Sequence, residues 1–317
     1  MPVHPAPPTD IPSLIEAYRA VVTSFAGVAD GLRDTDWEQP TTCPGWSAHD
    51  HLAHVVHLED ILSGSDHPVT GWSEQAAGHR HSRAVKVGSP QHVRNDFGVW
   101  IEEGVQARRD RSPGELIAEL RGLMEVRSAS MYDPDLTAQT LVPSVMGEQA
   151  TFEELLRLRL ADIWVHEQDL RELVGRPGSL DSAGASQWTT YIMDALDRVV
   201  VRRVKAEPGT VVILETTGPV VARAGVRVGV DEADQPIGRA LFSGHTEAPS
   251  ETGGDSDSHG ASSAPEAHPE HITTISLSTD ALTRRAAGRR STADTAYQVV
   301  GDEDLARRVL DAYVITP

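Results

Sequence analysis

Asp162 and His166 stand four residues apart within TFEELLRLRLADIWVHEQDLRELVG, residues 151–175. On a helix that spacing stacks the two side chains on one face. A carboxylate and an imidazole turned inward need a partner, because burying them unpaired is costly. A metal ion is one such partner, and Arg159, on the same inward side, is another. A second supply of imidazoles lies in HDHLAHVVHLEDIL, where His49, His51, His54 and His57 occur within nine residues. Placed on a wheel of about 100° per residue, Leu58, Ile61 and Leu62 flank His54, so His54 looks inward, with His51 at the margin. Two histidines and a carboxylate, His54, His166 and Asp162, suit Zn²⁺ or another divalent first-row metal. They also leave a fourth position for water or substrate. The competing reading is an Arg159–Asp162 ion pair beside two hydrogen-bonded histidines, and spacing alone leaves both open.

Other residues offer less. Cys43 precedes Pro44, and no histidine is tied to it by spacing, so a structural role is expected. His79 and His81 could bind metal but read as solvated loop histidines. AAGRRS, residues 286–291, sets Arg289 and Arg290 beside a glycine and could receive an anionic group, against the plainer reading of two solvated cations. There is no dinucleotide fingerprint, P-loop, H-E-x-x-H or G-x-S-x-G.

The elements that must position these groups follow from periodicity. In residues 151–175, Phe152, Leu155, Leu156, Leu160, Ile163, Leu170, Leu173 and Val174 fall on one arc. Thr151 with Glu154 makes a capping-box spacing, and Gly175 followed by Pro177 ends the helix. Residues 11–32 and a stretch from about Ser47 to Leu62 predict two earlier helices. Residues 96–109 and 112–130 predict two more, and 64–95 reads as a long loop. The first half is thus four or so helices, read most simply as an up-and-down four-helix bundle with one long crossover. Beyond residue 178 a helix is predicted over 187–205. Valine-rich strands VVILETT and VVARAGVRVGV follow, then a strand over 271–278, a short helix over 279–287, a strand over 297–300 and a helix over 303–313. The fold class is α+β overall. A tail over residues 1–10 precedes a helical bundle over 11–178 and a small α+β domain over 186–317. Residues 243–270 contain no Ile, Leu, Val, Phe, Trp, Tyr or Met, and read as a disordered insertion in that domain.

A formal net charge of −19 over 317 residues argues against nucleic acid or an anionic membrane as a partner. No secretory signal and no spanning apolar run is visible, and a single cysteine excludes an internal disulfide. A cytoplasmic protein, monomer or homodimer, is the expectation.

PTTCPGWSAHDHLAHVVHLED and LLRLRLADIWVHEQDLRELVGRPG resemble two signatures of the mycothiol-dependent maleylpyruvate isomerase family. GDEDLARRVLDAYVITP resembles the end of its C-terminal domain. The resemblance implies a DinB-like bundle that holds a divalent metal, usually zinc, through His54, Asp162 and His166, followed by a sterol-carrier-like α+β domain. It also implies mycothiol as thiol cosubstrate, a small electrophilic substrate, and an arginine from the C-terminal domain, for which Arg289 is the guess. Asp162 departs from the family pattern, which has Glu there. A metal-bound thiol loses its proton at neutral pH; its attack on an electrophile would give isomerisation or S-transfer. The alternatives are a metal-dependent hydrolase of the same fold and a non-catalytic metal- or small-molecule-binding protein.

Overall fold

The computed structural model describes residues 3–68, 92–145, 149–242 and 272–316. The expected insertion 243–270, most of the loop expected over 64–95, and His79 and His81 lie outside the described residues. The chain divides into two compact units. One is Pro5–Trp188 with Ala287–Arg289 and Thr316–Pro317; the other is Met1–His4, Thr189–Ala286 and Arg290–Ile315.

The helical unit begins with α1 (Ile11–Asp30), whose N-cap Asp10 accepts from the Ser13 backbone N–H at 2.9 Å. It buries Leu14, Tyr18, Val21, Val22 and Phe25 at helical spacing. α2 (Ala48–Leu62) starts in a capping box between Ser47 and Asp50, which satisfies two backbone donors at the helix start. α3 (Asp96–Gln106) is followed by α4 (Pro113–Met131), opened by a capping box between Ser112 and Glu115. Two short antiparallel strands, β1 (Leu141–Pro143) and β2 (Gln149–Thr151), occupy what the sequence suggests is plain connector. Their brevity and the proline hide them from pattern reading. α5 (Phe152–Leu173) begins at the Thr151–Glu154 capping box, as the spacing predicts. α1 packs on α5 and α4, and α2 packs on α3, α4 and α5.

α6 (Ala183–Asp194) carries the chain from the first unit into the second. The single helix expected over 187–205 is in fact segmented. α6 gives way to a short helical turn at Leu196–Arg198 and then to a π turn at Val199–Arg203. There the Val204 N–H reaches back five residues to the Val199 carbonyl at 2.9 Å. The β-branched run Val199–Val201 crowds a regular helix, which favours such a departure.

The second unit holds a five-stranded sheet in the order β5–β4–β3–β6–β7, formed by β3 (Val211–Thr217), β4 (Val221–Val230), β5 (Pro236–Ala240), β6 (Ile272–Leu277) and β7 (Tyr297–Val300). β3 and β6 are parallel and the other pairs antiparallel. β5 is not predicted by its sequence; it is an edge strand that starts on Pro236, where a missing N–H costs no ladder bond. α7 (Thr279–Ala286) follows β6, and α8 (Glu303–Ala312) buries Leu305, Ala306, Val309 and Leu310 on one face. Within the stretch expected as a loose tail, His4 exchanges two backbone hydrogen bonds with Val221, each 2.7 Å. The architecture is the α+β class expected, a helical N-terminal region followed by a sheet-containing region. Among the described residues, no helix is long and apolar enough to cross a membrane.

Candidate metal centre

α2 and α5 pack together and bring three side chains to one point: His54 from α2, and Asp162 and His166 from α5. His54 Nε2 lies 3.5 Å from Asp162 Oδ2, and His166 Nε2 lies 3.6 Å from Asp162 Oδ1. Donors about 2.1 Å from one tetrahedral ion stand about 3.4 Å apart, so each histidine lies at a separation from the Asp162 carboxylate compatible with shared coordination. His54 and His166 are buried, with side chains 5% and 8% exposed, whereas Asp162 keeps 30%. Neither ring nitrogen of His54 has a hydrogen-bond partner. Buried polar atoms rarely go unsatisfied without a reason such as a ligand.

Trp46 closes one side. Its indole lies 5.0 Å from His54, 5.5 Å from His51 and 5.6 Å from His166, ring centre to ring centre. The ring is held by a 3.1 Å hydrogen bond from its N–H to Glu102 of α3. It is presented by a tight turn before α2, in which Pro40 bridges Ser47 and Gly45 has φ +82°. A side chain at Gly45 would strike the His92 ring, so close approach as well as backbone angle calls for glycine here. Trp46 also lines an open cleft of about 420 Å³, with Glu38, Ser47, His49, Asp50 and Arg109 among its other walls.

Charges around the donors are balanced. Arg159, 1% exposed, is ion-paired with Asp162 and donates to Glu59 Oε1 at 3.0 and 2.8 Å. Glu59 in turn meets Arg127 at 2.7 Å and accepts from the Tyr18 hydroxyl. The competing ion pair weighed from the sequence is therefore present, yet it does not satisfy His54. Burial lowers the His54 pKa to about 4, against the opposite pull of Asp162. Burial also pulls His166 down, but the Asp162 and Asp169 carboxylates outweigh it and the net shift is upward. For Asp162, burial acts upward but Arg159 and the two imidazoles prevail, holding it well below the usual carboxylate range. His54 is thus neutral at pH 7, as a metal ligand must be.

Behind His166 lies a second layer. His166 Nδ1 is 2.9 Å from His51 Nδ1 and 3.3 Å from Asp169 Oδ2. Burial drives His51 well below the ordinary histidine range, with Asp169 opposing. Arg289, the guessed catalytic arginine, donates through Nε to both oxygens of Asp169 at 3.1 and 3.2 Å and through Nη2 at 3.1 Å. The structure therefore groups His54, Asp162 and His166, and sets Arg289 on Asp169, behind His166. Cys43, half-buried, joins His51 and Asp169 in a further cluster of potential metal donors. Arg289 on that carboxylate opposes a cation there. Sequence reasoning missed Trp46, Glu59 and Asp169. Asp169 carried a signal, since it follows Asp162 by two helical turns on the same stripe; Trp46 carried only its place in the stretch that bears the family resemblance, and no spacing tied it to the histidines.

Residues 18–171 match the family model described as mycothiol maleylpyruvate isomerase N-terminal domain. No curated protein matches the chain. Among solved structures, the chain is similar to a substitution mutant of the mycothiol-dependent maleylpyruvate isomerase, at 13% identity with a TM-score of 0.51, over 92% of this chain and 93% of that one. A crystal structure of the mycothiol-dependent maleylpyruvate isomerase itself gives 14% identity and a TM-score of 0.49 over the same shares. At such identity the likeness is one of fold. The N-terminal match carries more: it assigns residues 18–171, just under half of the chain, to the mycothiol maleylpyruvate isomerase N-terminal domain family.

Proposed function

We propose that this protein is a divalent-metal-dependent, mycothiol-using isomerase or S-transferase, with zinc held by His54, Asp162 and His166. The observation that carries the reading is His54: two buried ring nitrogens without a hydrogen-bond partner, one of them 3.5 Å from a carboxylate that also faces His166. A bound divalent metal would supply stabilisation of a thiolate at neutral pH.

The chain's own residues suit an anionic fourth partner. Asp162 and Glu59 are offset by Arg159 and Arg127, and His54 is neutral, so the donor set brings no surplus negative charge to repel a thiolate. Asp162 keeps the exposure through which a small electrophile and a thiol can arrive. Trp46 covers the histidines and excludes water from their side of the site. Cys43 belongs to the layer behind His166, so the reacting thiol comes from the cosubstrate. In this reading Arg289 acts by holding Asp169. The protein works in the cytoplasm as a monomer or homodimer.

The test is metal analysis of the purified chain, followed by assay of small electrophiles such as cis-unsaturated acids with and without mycothiol. About one metal per chain, lost in His54→Ala, together with turnover that needs both metal and mycothiol, is expected. Absence of metal would overturn the reading, and metal-dependent turnover indifferent to thiol would replace it with activation of water.

A further inference from the structure

The turn TTCPGW before α2 contributes a residue that the site as described leaves unused. We infer that Thr41 and His51 form a directed hydrogen-bond chain that locks His166 in the tautomer with its Nε2 lone pair facing His54 and Asp162. The inference rests on the metal reading above for its purpose, but its geometry stands on its own.

The direction follows from one group that can only accept. The Trp46 carbonyl takes the Thr41 backbone N–H at 2.9 Å and lies 3.0 Å from Thr41 Oγ1. The Thr41 hydroxyl proton is therefore committed to Trp46. Its oxygen is left to accept, and it takes the Cys43 backbone N–H at 3.2 Å. The remaining neighbour at 2.8 Å is His51 Nε2, which must then be the donor. If the hydroxyl pointed at His51 instead, two oxygen lone pairs would face each other across 3.0 Å.

A second proton on the His51 ring would make a cation at a site 0% exposed, so with Nε2 protonated its Nδ1 is bare. That bare Nδ1 lies 2.9 Å from His166 Nδ1, a contact that requires one proton between them. The proton is on His166. Asp169 Oδ2 agrees, since a carboxylate oxygen can only accept and this one is nearer His166 Nδ1, at 3.3 Å, than His51 Nδ1, at 3.6 Å. With Nδ1 protonated, a neutral His166 has its lone pair at Nε2, the atom 3.6 Å from Asp162 Oδ1. Metal-binding histidines in general have the second nitrogen fixed by such an outer partner. Here the partner is another histidine, itself set by a threonine hydroxyl two atoms further on. Thr41 is a positioning residue.

The test uses the full-length chain labelled with ¹⁵N in its histidines, metal-free and in alkaline buffer, then titrated with zinc. Ring nitrogen shifts read the tautomers directly. Expected are an Nε2–H tautomer for His51 and an Nδ1–H tautomer for His166. Thr41→Val removes the acceptor of His51 Nε2–H, so both rings should change tautomer, and zinc affinity should fall about 10- to 100-fold. Thr41→Ser, which restores the hydroxyl, should return both readouts. An Nε2–H tautomer for His166 in the unsubstituted chain overturns the inference, as does a Thr41→Val variant with unchanged ring shifts. These shifts are read before zinc is added, so a chain that shows the expected tautomers but binds no zinc refutes the metal reading and not the lock.

Discussion

Arg159 and Asp162, three residues apart on α5, are ion-paired, and the same guanidinium makes two hydrogen bonds to one oxygen of Glu59. This places a fixed cation between the candidate ligand Asp162 and a carboxylate 1% exposed. Removing one member of a buried pair strands the others. Arg159→Met should therefore lower the unfolding free energy of the metal-free protein by about 3–5 kcal/mol. Tyr18→Phe, which removes one neutral donor to Glu59, should cost about 1–2 kcal/mol. Urea unfolding measures both, and a loss below about 1 kcal/mol in Arg159→Met would show that the network is not a unit.

How much of this could be read in advance depends on the reach of each signal. The helix of Asp162 and His166 was legible because its cap, its apolar arc and its glycine end are all local. His54 was legible because the turn-by-turn neighbours of a helix are set by spacing. Trp46 and Thr41 were not, because a turn places side chains through backbone angles such as φ +82° at Gly45, which composition does not reveal. The tie between Arg289 and Asp169 spans 120 residues and no periodicity encodes it. Strand β5 escaped because five residues with a proline and a glycine give no alternation to count.

Gly104 of α3 sits under the His57 ring: a Cβ there would lie 2.1 Å from His57 Cδ2. That ring cannot swing away freely, since Trp100 lies 5.1 Å and His67 5.2 Å from its centre. Gly→Ala inside a helix ordinarily stabilises by about 0.5–1 kcal/mol. At Gly104 overpacking should reverse the sign, to a loss of about 1–3 kcal/mol. Gly122 of α4 is exposed and has nothing within 4 Å of its would-be Cβ. There Ala should give the ordinary gain. Thermal melts of the two variants check the contrast, and a stabilised Gly104→Ala would remove the steric argument.

His57 should make stability acid-sensitive. Burial, with Arg108 adding to it, pushes its pKa down to about 2, and its Nδ1 faces the Arg108 guanidinium at 3.1 Å. The unfolded chain takes up this proton near pH 6.5 while the folded chain does not. Unfolding is therefore favoured progressively as pH falls from about 6.5, by up to about 1.4 kcal/mol per unit. The full contribution is present above that value. His57→Gln keeps an acceptor for Arg108 and removes the titration. Between pH 7 and 5 it should lose roughly 1–2 kcal/mol less than the parent chain. Equal losses in the two proteins would mean that His57 is not buried neutral.

Arg289 separates a structural cation from a substrate-binding one. Its guanidinium is committed to Asp169, whose side chain is 0% exposed, while Nη1 donates to the Ala287 carbonyl at 2.8 Å. Arg289→Gln should therefore destabilise the fold by about 3 kcal/mol, because the carboxylate behind His166 loses its cation. Arg289→Lys should recover only part, since an ammonium restores charge but not the forked geometry. The Arg289→Gln, Asp169→Asn double variant should be more stable than the sum of the single losses predicts, by at least about 1 kcal/mol. An arginine whose task is to receive an anionic substrate behaves otherwise: its loss raises KM and leaves the unfolding curve where it was. Unfolding and steady-state measurements on these variants and on Asp169→Asn alone distinguish the two cases, and additive losses would detach Arg289 from Asp169.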